Sequence, residues 1–100
     1  MTKICNIEYL ETAIKDLEEI IIYASENGKT YVNELIDELD DKISILKQFP
    51  NMGKVYNNIQ LINKYHVILI NQYLIFYMIN NKSIVIHRII HNKRNYMSFI

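Results

Sequence analysis

Leu10, Ala13, Ile14, Leu17, Ile20, Ile21 and Ala24 recur at spacings that place them on one face of a helix. Asn27-Gly28 supplies a stop, because glycine readily takes the left-handed conformation that ends a helix. A second helical stripe runs between about Thr30 and Gln48, carried by Val32, Leu35, Ile36, Leu39, Ile43 and Leu46. Pro50 forces Phe49 out of helical geometry and closes it. So short a link predicts an antiparallel pair. Ahead of these helices, Lys3 to Ile7 reads as a first strand, with Asn6 placed to cap the first helix.

Beyond Pro50 the period changes from helical to extended. Tyr65–Ile70, Tyr73–Ile79 and Ser83–Ile90 are β-branched and aromatic runs, and Asn71-Gln72 and Asn80-Asn81 read as tight hairpin turns between them. The predicted fold is α+β: an N-terminal strand, an antiparallel helix hairpin, then a three-stranded antiparallel meander, as one domain over residues 1–100. Even-length turns put His66, Ile68, Ile70, Tyr73, Ile75, Tyr77, Ile84, Ile86, Arg88 and Ile90 on one side of the sheet. Tyr65, Val67, Leu69, Leu74, Phe76, Met78, Val85, His87, Ile89 and His91 fall on the other. Both sides are largely apolar, and one helix pair covers only one. The second side is either an exposed concavity awaiting a partner or is covered by the segment 51–64 and the C-terminal tail.

Charge adds a second division. All eleven carboxylate side chains lie in the first 41 residues, where three lysines leave a net charge of −8. From Lys42 onward eight lysines and arginines stand with no carboxylate, so a formal net charge of zero conceals a dipolar chain. Such a split suggests that one region meets a polyanion or an acidic partner, or that the acidic helix faces are simply solvated. Half the residues are hydrophobic, which argues against disorder. Twenty isoleucines and twelve asparagines reflect base composition rather than function. A lone Cys5 leaves no internal disulfide and fits a reducing compartment. No apolar leader and no run of ~18–20 apolar residues is present, so a cytoplasmic protein without a membrane span is expected.

Four phrases, in order, resemble the RelE/ParE superfamily of toxins from bacterial type II toxin–antitoxin pairs. They are Ala13–Ile20 with Tyr23, Ile45–Lys54, Tyr73–Tyr77 and Arg88–Tyr96. The resemblance implies a small cytoplasmic growth inhibitor neutralised by a cognate antitoxin, whose segment would bury Leu69, Leu74, Phe76 and Met78. It also implies one of two targets. ParE-like members poison DNA gyrase; RelE-like members cleave messenger RNA on the ribosome. Ribonuclease members carry an arginine where this chain has Leu74, a lysine pair that falls near His66 and Ile68, and in some cases a glutamate base that has no counterpart here. The C-terminal basic residue is kept as Arg94, and Tyr96 stands near the terminal aromatic. The pattern favours the ParE-like reading slightly. A folded but inactive toxin is a third reading.

The residues also bear on the ribonuclease alternative. RNA cleavage needs proton transfer near neutral pH and stabilisation of a charged phosphorane, for which histidine and the basic side chains are suited. The candidate set is His91, Lys93, Arg94 and Tyr96, with His66 as a second histidine. Lys93, Arg94 and Tyr96 also combine phosphate-binding cations with an aromatic for stacking. His66 and His87 read more readily as packed sheet residues, and His91, where the strand gives way to a basic loop, is the better candidate. Neither a metal nor another cofactor is expected. His87 and His91 would stand ~13 Å apart along a strand, and Gly28 and Gly53, the only glycines, make no phosphate-binding loop.

Overall fold

The computed structural model describes residues 6–56 and 65–93. The elements are β1 (Asn6–Tyr9), α1 (Glu11–Ser25), α2 (Lys29–Ser44), a single 3₁₀ turn (Ile45–Lys47), β2 (Lys54–Tyr56), β3 (Tyr65–Ile70), β4 (Tyr73–Asn80) and β5 (Ser83–His91). The strands form one mixed sheet in the order β1-β5-β4-β3-β2, with β1 parallel to β5 and the other pairs antiparallel. This is the expected α+β plan, with β2 added as a short edge strand in what reads in the sequence as a connecting loop.

Within the first strand, Ile7 and Tyr9 alternate inward against the core while Glu8 points outward. Asn6 therefore belongs to the ladder and does not cap α1. The expected strand residues Lys3 to Cys5 lie outside the described residues. Leu10 takes the N-cap position in extended geometry; its N–H donates to Ile86 O at 3.0 Å, prolonging the parallel ladder by one bond. Helix α1 buries Ala13, Ile20 and Ala24, whereas Ile14 and Ile21 sit at the rim of the stripe and remain substantially exposed. Gly28, at φ 99°, opens α2 from a conformation closed to most side chains. Leu35, Leu39 and Ile43 continue the buried stripe, and Leu46 in the 3₁₀ turn completes it. These residues pack on Ile68, Ile70, Ile75, Tyr77, Ile84 and Ile86 of the sheet.

The first hairpin turn is Asn71-Gln72, as expected. The second is Asn81-Lys82, one residue beyond the expected position, because Asn80 pairs with Ser83. Asn71 and Asn81 each adopt positive φ (58° and 55°), which asparagine tolerates better than most residues.

The main departure is a β-bulge. Tyr77 faces Ile86 and Phe76 faces Arg88, leaving His87 without an opposite residue. Beyond it the alternation of β5 reverses. Ile89 stands across from Ile75 and His91 across from Tyr73, on the helix-covered side, while Ile90 pairs with Leu74. The expected faces of Arg88, Ile89, Ile90 and His91 are corrected accordingly.

The second side is less open than expected. Phe76 is 0 % exposed, and Val85 and Ile90 are also buried without belonging to the helix–sheet core. Phe76 sits on the central strand with Tyr65 edge-on to its ring at 6.3 Å. Leu74 and Met78 are half-buried, and only Leu69, at 59 % exposure, is as open as expected.

Candidate functional site

At the bulge, the distal half of β5 runs past the end of β1 and presents unpaired edge groups, which α1 satisfies. Thr12 Oγ1 donates to His87 O at 2.8 Å. Asp16 accepts three bonds: Arg88 Nε at 2.8 Å, Arg88 Nη2 at 2.9 Å and the Ile89 N–H at 3.0 Å. The fork geometry of guanidinium on carboxylate makes this a directional lock between helix and sheet. The Asp16 hydrogen bonds raise the Arg88 pKa, with burial opposing and the charges of Asp16 and Glu19 adding to it.

A cleft of about 490 Å³ opens beside this lock, between the α1–α2 link and the β3–β4 turn. Three tyrosines line it: Tyr23 at the end of α1, Tyr31 at the start of α2 and Tyr73 at the start of β4. Asp16 and Glu19 of α1 add carboxylates, and Ile20 and Ile89 an apolar floor. Burial raises the Tyr73 pKa, and the neighbouring phenols of Tyr31 and Tyr23 raise it further. Gln72 and His91 complete the lining.

His91 is held on both ring nitrogens. The Lys93 backbone N–H donates to Nδ1 at 3.2 Å, so the neutral ring carries its proton on Nε2, which lies 3.1 Å from Gln72 Oε1. Its ring also meets Tyr73 edge-on at 5.5 Å. A histidine with both nitrogens engaged is a positioned structural group more than an open proton acceptor.

His66 lies elsewhere. It pairs with Tyr77, four ladder positions from the Tyr73–His91 row, or roughly 13 Å along the strands. Its ring stacks on Tyr77 at 5.2 Å and its Nδ1 is 3.4 Å from Gly53 O. Tyr77 anchors the turn before β2, donating its hydroxyl to Pro50 O at 2.7 Å and accepting the Gly53 N–H at 3.0 Å. Burial raises the Tyr77 pKa, and the Gly53 hydrogen bond offsets part of that rise. The third histidine, His87, faces Tyr65 with Nδ1 3.4 Å from the hydroxyl, and burial lowers its pKa.

The structure thus separates His66 from His91 and leaves Lys93 exposed beyond the end of β5. Arg94 and Tyr96 lie outside the described residues. Among the described residues no three metal-ligating side chains come together, and no helix is long and apolar enough to cross a membrane. Nothing in the sequence marks Asp16, Tyr23, Tyr31, Gln72 and Tyr73 as neighbours in one cleft. The repeated tyrosines were visible, but their convergence from separate segments was not.

The charge division follows the layers. Most carboxylates stand on α1 and α2, while the described meander carries Lys54, Lys82, Arg88 and Lys93 with no acid. Lys54 lies opposite Val67, on the sheet side that also bears Leu69.

A family model described as the ParE toxin of the type II toxin–antitoxin system parDE matches residues 7–96. The chain belongs to the ParE toxin family. It is therefore a toxin of a type II toxin–antitoxin system, within the RelE/ParE superfamily that its sequence resembles. The ParE fold is supported by a chain of the chromosomal ParDE toxin–antitoxin system from P. aeruginosa, with a TM-score of 0.73 at 15 % identity. That alignment covers 90 % of this chain and 98 % of the other. A chain of the RelB–RelE antitoxin–toxin complex from Methanococcus jannaschii aligns with a TM-score of 0.49 and 20 % identity, over 93 % of this chain and 99 % of that one. No curated protein matches the sequence.

Proposed function

We propose that this ParE-family toxin inhibits DNA gyrase and is held inactive by a cognate antitoxin that covers the second side of its sheet. The ParE family match over residues 7–96 is the observation that carries the reading. The arrangement of polar groups supports it. His66 and His91 lie in different rows of the sheet, each engaged in local hydrogen bonds. Leu74, where ribonuclease relatives carry an arginine, is an aliphatic residue opposite Ile90. The same outer side offers Leu69, Leu74 and Met78 beside Lys54, an apolar and basic surface suited to a protein partner. Phe76 is part of the support beneath that surface.

The test places the purified chain with gyrase and relaxed plasmid and, separately, with programmed ribosomes and message. Loss of supercoiling with intact message is expected. Ribosome-dependent message cleavage with unimpaired gyrase would overturn the proposal. Arg94→Ala is expected to relieve growth arrest at equal protein level, because the family resemblance assigns that cation to the target contact.

A further inference from the structure

The tyrosine-lined cleft is remote in chemistry from the apolar outer side of the sheet. Its lining combines Tyr23 and Tyr31, both exposed, and the more deeply set Tyr73 with Glu19. Glu19 is exposed and forms no salt bridge among the described residues. One turn earlier on the same helix, Asp16 already receives a guanidinium in fork geometry from the chain's own Arg88. Glu19 shares that guanidinium's field, so two carboxylates stand against one cation and leave the described residues at the cleft with an excess of negative charge. Tyrosine faces attract cations, and a guanidinium stacks on them while its edge reaches a carboxylate. Among the described residues a phosphate-bearing ligand would meet two lining carboxylates and no lining lysine or arginine, so nucleotides are disfavoured here. The volume of about 490 Å³ exceeds one side chain and has room for the adjoining backbone of a peptide.

We infer that this cleft is a docking site for an arginine-bearing segment of a protein partner, with the guanidinium held between the tyrosine rings and Glu19. Gln72, whose Oε1 is engaged by His91, keeps its amide N–H donors for the segment's backbone carbonyls. The site is independent of whether gyrase is the target, since it concerns only the chemistry of what the cleft accepts.

The experiment titrates the full chain with acetyl-Ala-Ala-Arg-Ala-Ala-amide and follows the tyrosine ring resonances by NMR. Parallel titrations use the peptide with citrulline in place of arginine, and adenosine monophosphate. One side chain of this kind is expected to give saturable binding at about 1 mM. The citrulline peptide, which keeps shape and loses charge, should bind at least about fivefold more weakly. Glu19→Gln and Tyr23→Ala alter exposed positions and should each weaken the arginine peptide by about five- to tenfold. Glu34→Gln, an exposed carboxylate on α2 outside the cleft, should leave binding unchanged. Absence of saturable shifts to 10-fold above that concentration, equal binding of the citrulline peptide, tighter binding of the nucleotide, or indifference to Glu19→Gln in a chain with native circular dichroism would each overturn the inference.

Discussion

Replacing Asp16 tests the junction on which the C-terminal half of the sheet depends. Its carboxylate takes two bonds from Arg88 and one from the Ile89 N–H, at 2.8, 2.9 and 3.0 Å. The two side chains are only 12 % and 20 % exposed, so solvent screens the pair weakly. Breaking a fully buried pair from one side costs about 3–5 kcal/mol; partial access of water places Asp16→Ala near ~3 kcal/mol. At ~4–8 °C per kcal/mol for a domain of this size, the midpoint of thermal unfolding should fall by roughly 12–24 °C. Asp16→Asn keeps one carbonyl acceptor and should lose about half as much, while Arg88→Lys retains charge without the fork and should fall between. Urea unfolding monitored by far-ultraviolet circular dichroism measures each, with exposed Glu18→Ala as the control. A loss below ~0.5 kcal/mol for Asp16→Ala, or one equal to the control, would refute the role given to this lock.

Three further outcomes are expected. Tyr77→Phe strands Pro50 O and the Gly53 N–H and should cost ~1–3 kcal/mol; in Gly53→Ala the new Cβ would meet Tyr77 Oη at 2.7 Å, so the double variant should cost less than the two singles together in urea titrations. His87 has its pKa lowered by burial, so the native state resists protonation; its contribution to stability is complete above the ordinary value of 6.5 and is lost as pH falls through the lowered folded value. His87→Gln should therefore shrink the difference in unfolding free energy between pH 7.5 and pH 5, and an undiminished difference would remove His87 as its source. Leu69→Glu, at an exposed position, should change stability by less than ~0.5 kcal/mol yet weaken the antitoxin complex in a calorimetric titration, whereas Phe76→Ala should cost ~3–5 kcal/mol and is useless as an interface probe.

The helical stripes were legible because a 3.6-residue period admits few alternatives: Ala13, Ile20, Ala24, Leu35, Leu39 and Ile43 are buried as their spacing requires. The hairpins were legible because asparagine at a left-handed position is a strong local signal, although Asn80 and Asn81 compete for one turn and only the ladder decides between them. The bulge was not legible. Parity arguments assume an unbroken ladder, and in β5 both Ile89 and Ile90 are apolar, so either phase buries one isoleucine on each side. Nothing in the local hydrophobic pattern distinguishes the two phases.

The helix distinguishes them. With an unbroken ladder His91 would share a side with Leu74, and the Ile89 N–H would have no reason to meet α1. The extra residue at His87 turns the strand so that Asp16 closes the open edge through Ile89 while Arg88 supplies the countercharge. The same turn brings Ile89 and His91 to the helix side, where they line the cleft with Tyr23, Tyr31 and Tyr73. A single unpaired residue therefore separates two surfaces of different chemistry: an outer apolar and basic one around Leu69, and an aromatic, acidic cleft against the helices. The carboxylates that line the second all come from the first 41 residues, so the charge division of the sequence becomes, through the bulge, a division between two surfaces of the fold.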